Sequence, residues 1–318
     1  MRVIDMHCDT FWLMMRKQGV SLQKNDLCID IEKMKAAGSM AQFFASFIHM
    51  SQFEGVDAVE EAYQHALAMI AHGKEALSKC SDSIAIAHNY DELIANRDSG
   101  KMSAILTVEE GGILNGKMEY LEKLYSEGIR LITLTWNHEN CIGFPNSRDV
   151  KLMQLGLKPF GFEVMERMNE LGMLIDVSHL SDGGFWDVIN HTRKPVVASH
   201  SNARALCCHP RNLTDEMIKA LAEKGGVTGV NFYPYFLQEN GKATVADIAN
   251  HIWHIYQVGG EDVIAIGTDF DGFDEGELDI SDMGEMNLVY NAIQKRGFTE
   301  RQVDKIFSGN IVRVLQTM

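Results

Sequence analysis

The chain has 318 residues, 46% of them hydrophobic and 23% charged, a globular composition with the length of one α/β barrel. Its 44 acidic residues against 29 basic give a formal charge of −15, which argues against nucleic acid as a partner because phosphates would be repelled. No apolar run approaches the roughly 18 residues of a membrane span, so no transmembrane helix or membrane partner is expected. The first residues lack the basic segment and apolar core of a signal peptide. The six cysteines are irregularly spaced, without C-x-x-C, and Cys207 and Cys208 are adjacent, a poor disulfide geometry. The expectation is a reduced, cytoplasmic protein.

Strand-like runs recur along the chain: VIDMHCD (3–9), AQFFASF (41–47), SAILTVEEG (103–111), IRLITLTW (129–136), MLIDVSH (173–179), PVVASHS (195–201), GVTGVNFY (226–233) and VIAIGTDFDG (263–272). Several lack polar alternation, as strands buried on both faces do. Helical patterns lie between them, such as MEYLEKLYSEG, PFGFEVMERMNELG, TDEMIKALAEKGG and VADIANHIWHIYQVGG, with Gly128, Gly172, Gly225 and Gly259 near their C-terminal ends. Eight strands alternating with helices predict a (β/α)8 TIM-like barrel, with a doubly wound open sheet as the alternative. Segment 49–102 is long for one crossover and is expected to hold extra helices. No linker or repeat interrupts the chain, so residues 1–318 are read as one catalytic domain.

In such a barrel the chemistry sits where strands end. The first run ends in His7 and Asp9, which alternation places on one face with Cys8 on the other. The third ends in Glu109-Glu110-Gly111-Gly112, the fourth in Trp136-Asn137-His138, the fifth in Ser178-His179, the sixth in His200-Ser201-Asn202 and the eighth in Asp269-Phe270-Asp271. One such residue is easily a satisfied core group; ionisable groups ending five or six strands converge on one mouth. Three histidines with several carboxylates suit zinc and exceed what one tetrahedral ion needs. Glu109 and Glu110 cannot both face the mouth, because they alternate. Asp176 reads as a buried hydrogen-bonding residue, and Asp271 as a turn residue beside Gly272. His49, His65, His72, His88, His191, His251 and His254 read as surface or packing residues.

The ordered set H-C-D, E-G-G, L-T-L-T-W-N, D-V-S-H, S-H-S-N…P-R-N and G-T-D-F-D-G, spanning nearly the whole chain, resembles the membrane (renal) dipeptidase family of zinc peptidases, themselves similar to amidohydrolase-type metal barrels. The resemblance implies hydrolysis of dipeptides by two zinc ions per chain and a bridging hydroxide. It implies that His7 and Asp9 bind one zinc and His179 and His200 the other. Glu110, directly before Gly-Gly, would bridge both, and Asp269 would carry the proton. Arg211 would meet the substrate carboxylate, with Tyr233 on the substrate side. Asp215 or Glu216 are alternative partners for Arg211. The sequence departs from the family at Trp136, where a histidine follows L-T-L-T; His138, two residues on, is either its substitute toward substrate or an exposed loop histidine.

Another amidohydrolase-type reaction on a small or cyclic amide is the rival reading, although such enzymes often begin with H-x-H where this chain has H-x-D. A non-enzymatic metal-binding protein is the rival of a different class, and the presence of Asp269 weighs against it. The expected partners are small dipeptides. A homodimer is compatible with this reading, and the sequence leaves oligomeric state open.

Overall fold

The computed structural model describes residues 2–17 and 19–318. The strands are β1 (Val3–Cys8), β2 (Ser39–Phe47), β3 (Ile84–Ile86), β4 (Met102–Glu109), β5 (Ile129–Thr133), β6 (Leu174–Asp176), β7 (Val197–Ala198), β8 (Val227–Val230) and β9 (Ile264–Ile266). Every pairing between them is parallel. The order runs β2-β1-β9-β8-β7-β6-β5-β4, and a further pairing of β2 with β4 closes the ring. All eight expected strands are present, and together they form the closed barrel, with helices outside. The extra strand, β3, is too short to stand out in the sequence. It pairs with Met102–Ala104 at the start of β4, and β5 takes over the same edge from Leu106 onward.

The long segment after β2 holds the expected helices, Ala58–Ser78 and Tyr90–Asp98, on either side of β3. Helix ends follow from local chemistry. Thr214 caps the helix Asp215–Glu223 by accepting the Met217 N–H, and Gly172 ends Pro159–Leu171 at a left-handed φ of 71°. One end differs from expectation. Gly259 is still helical, and Gly260, at φ 83°, ends Val245–Gly259. The reason for Gly259 is close packing: a Cβ there would meet Val263 Cγ1 at 2.8 Å and Ile218 Cγ2 at 3.0 Å.

Two apolar layers follow from strand alternation. Ile105 of β4, Phe43, Leu131, Leu174, Val197 and Val227 fill the barrel, with Ile311, Val314 and Leu315 of the C-terminal helix joining them. Ala104, Leu106, Val108, Ile132, Ile175 and Ile264 face outward to the helices. Every residue of β4 is therefore buried, which explains its unbroken apolar run. Among the described residues no helix is long and apolar enough to cross a membrane.

Candidate metal centre

β1 delivers His7 and Asp9 through an irregularity. The β1–β2 register shifts between Asp5 and Cys8. Ile4 and Met6 belong to the inner core, Cys8 to the outer layer, and His7 follows Met6 into the mouth. Asp5 braces this bend: it accepts from the Thr268 N–H at 2.7 Å and from Gln42 Nε2 and Thr268 Oγ1 at 2.8 Å each. His7 Nε2 ends 3.4 Å from Asp9 Oδ2 and 3.3 Å from Glu109 Oε2.

β4 settles which glutamate enters, and the expectation of Glu110 is corrected. Ile105 is an inner-core residue, so Thr107 and Glu109 share its face; the cross-strand partners Phe43, Ala45 and Phe47 run in the same register. Glu109 Oε1 lies 3.0 Å from His179 Nε2 and 3.4 Å from His200 Nε2, while Oε2 meets His7. Glu110 follows the strand at φ 102° and turns away. Its Oε1 accepts from the Gly112 N–H and Asn140 Nδ2, both at 2.6 Å, and its Oε2 from the Trp136 N–H at 3.1 Å. The resemblance pointed to the glutamate directly before Gly-Gly, whereas the glutamate that faces the histidines stands one residue earlier. Glu110 instead fixes the loop after β5.

That loop and β6–β7 set the histidine tautomers. His179 Nδ1 is 3.0 Å from Asn137 Oδ1, so it carries the proton and leaves Nε2 as a lone pair. His200 Nδ1 is 2.6 Å from Ser199 Oγ, whose own proton goes to Asp176 Oδ2 at 2.5 Å. Asp176 is the buried hydrogen-bonding residue expected, accepting also from Thr133 Oγ1, Ser178 N and Ser199 N. The Nε2 lone pairs of His179 and His200 then face each other at 3.1 Å. Both ring nitrogens of His7, Asp9 Oδ1 and Glu109 Oε1 are buried without a hydrogen-bond partner among the described residues. Buried polar atoms are seldom left so. A cation between these groups reconciles opposed lone pairs with crowded carboxylates. The donor set of imidazoles and carboxylates therefore fits zinc.

The electrostatics agree. Burial lowers His179 to about 4, aided by the Arg211 charge, and holds His200 well below the usual histidine range. Against burial, Glu109 and Asp9 hold His7 well above that range. Burial pushes Asp9 up to about 6 and Asp269 up to about 7. Asp269 follows β9 at φ 61°, a left-handed conformation costly for a residue with a Cβ and held here by its surroundings. Its Oδ2 accepts from Asn231 Nδ2 at 2.9 Å, and its Oδ1 is 3.8 Å from His7 Nε2. A Cβ on Gly272 would run into Asp9 Oδ2 and Asp269 Oδ1, so only glycine fits there. Asp271 anchors the same loop through Thr10 Oγ1 at 2.6 Å and the Cys28 N–H at 2.7 Å.

A cavity of about 480 Å3 opens beside the cluster, lined by Asp9, Glu109, His179 and Asp269 and by aromatic side chains including Tyr233. Tyr233, expected on the substrate side, thus lines the cavity beside the cluster. Arg211 is buried and donates to Ser201 Oγ at 2.6 Å and the His200 carbonyl at 3.0 Å. Among the described residues its Nε has no hydrogen-bond partner and no carboxylate forms an ion pair with it; Asp215 is engaged by His254 instead. The Phe236 ring lines the cavity, its centroid 5.7 Å from the Arg211 guanidinium carbon. His138 is exposed and does not line the cavity, so the structure does not bring it to the metal groups. His49, read from sequence as a surface or packing residue, does line it, with its ring 4.7 Å from that of Trp136. Asn137, Ser199 and Asn231 were also missed as supports of the site; each follows or ends a strand beside a ligand, which is the signal that could have found them.

The model of the membrane dipeptidase family, peptidase family M19, matches residues 1–318. An uncharacterized dipeptidase of Schizosaccharomyces pombe is 32% identical over 294 residues, covering 90% of this chain and 71% of that protein. The structure superposes on dipeptidase AC, a metallopeptidase, with TM-score 0.91 at 25% identity, covering 100% of this chain and 98% of that one. It superposes equally well on a metallopeptidase from Rhodobacter sphaeroides liganded with a phosphinate mimic of the dipeptide L-Ala-D-Ala, with TM-score 0.90, 25% identity and coverage of 100% and 99%. The chain belongs to the membrane dipeptidase family of metallopeptidases.

Proposed function

We propose that residues 1–318 form one catalytic domain that hydrolyses free dipeptides with two zinc ions, His7 and Asp9 on one, His179 and His200 on the other, and Glu109 between them. The observation that carries this reading is the pair of imidazole Nε2 atoms 3.1 Å apart, both turned to the same oxygen of the Glu109 carboxylate at 3.0 and 3.4 Å. The zinc pair supplies, when bound, an activated water and an electrophile for the peptide carbonyl. The rest is done by the chain itself. Asn137 and Ser199 hold the two imidazoles in the ligating tautomer. Asn231 fixes Asp269 Oδ2, leaving Oδ1 toward the cluster to take the proton of the attacking water and pass it to the departing amine.

Arg211 supplies a buried positive charge on the His200 side that meets no carboxylate among the described residues, and it is assigned to the C-terminal carboxylate of the substrate. The unpaired cysteines fit a reducing, cytoplasmic setting. The test compares a free dipeptide with its C-terminal amide. Amidation is expected to lower kcat/KM by roughly 30-fold or more, the cost of leaving a buried charge without its partner. Equal rates would reject Arg211 as the anchor, and failure to cleave either substrate by the zinc-loaded protein would reject the dipeptidase reading.

A further inference from the structure

The cavity has two aromatic walls: one from β2 and β5, each three strands from β8 in the ring, and from the helix beyond β1, two strands from it, the other from the chain after β8. Phe47 ends β2, Trp136 follows β5 and Trp12 lies on the helix after β1; Tyr233 and Phe236 follow β8. In the ring order, β4 stands across from β8 and β2 across from β7. The first wall is a continuous surface. The Trp136 ring is 6.2 Å from His179, 4.8 Å from Phe47 and 4.7 Å from His49, and Trp12 extends the row 5.5 Å beyond Phe47. Trp12, His49 and Trp136 are only half-buried, so their ring surface faces the cavity. The wall is also built with care: Glu110 grips the Trp136 N–H at 3.1 Å, and Ser51 Oγ pairs with His49 Nδ1 at 2.8 Å.

A dipeptide has few ways to lie here. Its scissile carbonyl belongs at the metal cluster. Its carboxylate belongs on the β7–β8 side, with Arg211 and Tyr233. The first residue then extends away from that side, carrying its amino group and its side chain, and of these two the apolar wall suits the side chain. We propose that Trp12, Phe47 and Trp136 form the subsite for the first residue's side chain and select dipeptides that begin with an aromatic or large aliphatic residue. The inference rests on the dipeptidase reading and adds a substrate class to it. Burying a large apolar side chain is worth roughly a 10- to 100-fold preference over glycine at that position. Trp12 is the residue to perturb, because it touches neither the metal groups nor the reacting atoms.

The experiment measures kcat/KM of the zinc-loaded protein for Phe-Ala, Leu-Ala and Gly-Ala, and for Ala-Phe and Ala-Gly. In parallel, calorimetry measures binding of phosphinate dipeptide mimics carrying benzyl or methyl at the first position. Phe-Ala and Leu-Ala are expected to exceed Gly-Ala by at least tenfold, with a smaller spread at the second position, and the benzyl mimic to bind tighter by a similar factor. Trp12→Ala is expected to erase most of the advantage of Phe-Ala while leaving Gly-Ala within about threefold, and Trp12→Phe to restore part of it. Equal rates for Phe-Ala and Gly-Ala, a preference on the second residue, or a uniform loss in Trp12→Ala with no rescue by Trp12→Phe would overturn the proposal. Cleavage of none of the dipeptides would overturn the dipeptidase reading and this subsite with it.

Discussion

The neighbouring glutamates of β4 make the sharpest contrast. Glu110→Gln removes one acceptor from a carboxylate that takes three N–H bonds: the Gly112 N–H and Asn140 Nδ2 on Oε1, and the Trp136 N–H on Oε2. A glutamine keeps its oxygen for the first two donors and turns its NH2 group onto the Trp136 N–H. One buried donor is then left without an acceptor, at a cost of about 1–3 kcal/mol. Glu110→Gln is therefore expected to unfold at lower denaturant concentration and yet to keep its metal. Glu109→Gln replaces one of the two carboxylate oxygens, which lie 3.0 to 3.4 Å from three imidazoles, with an NH2 group and removes the negative charge, and is expected to lose most of its metal. Denaturant unfolding and metal analysis on the purified variants measure both effects. Metal lost from Glu110→Gln and kept by Glu109→Gln would refute the assignment of Glu109.

Asp269→Asn is expected to lower kcat by roughly 10²- to 10⁴-fold while bound zinc is retained, the signature of a lost proton carrier rather than a lost ligand; metal content and steady-state rates on the same sample check it. His138→Ala is expected to change kcat/KM by less than about twofold, since His138 is exposed and outside the cavity lining, and a larger fall would return it to the site. His251 is buried, takes the Ala203 N–H on Nδ1 and donates Nε2–H to the Leu237 carbonyl, and burial lowers it from 6.5 to about 4. Between those values the unfolded chain binds a proton that the folded chain refuses. This contribution is thus complete above pH 6.5 and is lost as pH falls toward about 4, by up to about 3 kcal/mol. Unfolding free energies at pH 7 and pH 4.5 are expected to differ more for the wild type than for His251→Gln.

The barrel was legible because its strands are buried on both faces and bounded by glycine-ended helices, a pattern that needs no tertiary information. The placing of His7, Asp9, His179, His200 and Asp269 at one mouth was legible for the same reason: barrel geometry converts a position at a strand end into a position in space. The choice between Glu109 and Glu110 was not, since it depends on strand register, which the sequence shows only through the inner-facing Ile105 two turns of alternation earlier. His49 was missed because the chain carries on from the end of β2 at Phe47 into the cavity rim, while His138 came into consideration only through its nearness in sequence to Trp136. Asn231, Asn137 and Ser199 act through hydrogen bonds to residues 38, 42 and 1 positions away, and only the first shell of charged residues announces itself by type.

The central claim is that this chain cleaves dipeptides with a pair of metal ions. Protein stripped with a chelator and titrated with zinc, with Phe-Ala hydrolysis followed at each addition, tests it most directly. Activity is expected to be absent at the start and to rise until about two zinc ions are bound per chain. Saturation at one ion, or no hydrolysis at any zinc content, would contradict it.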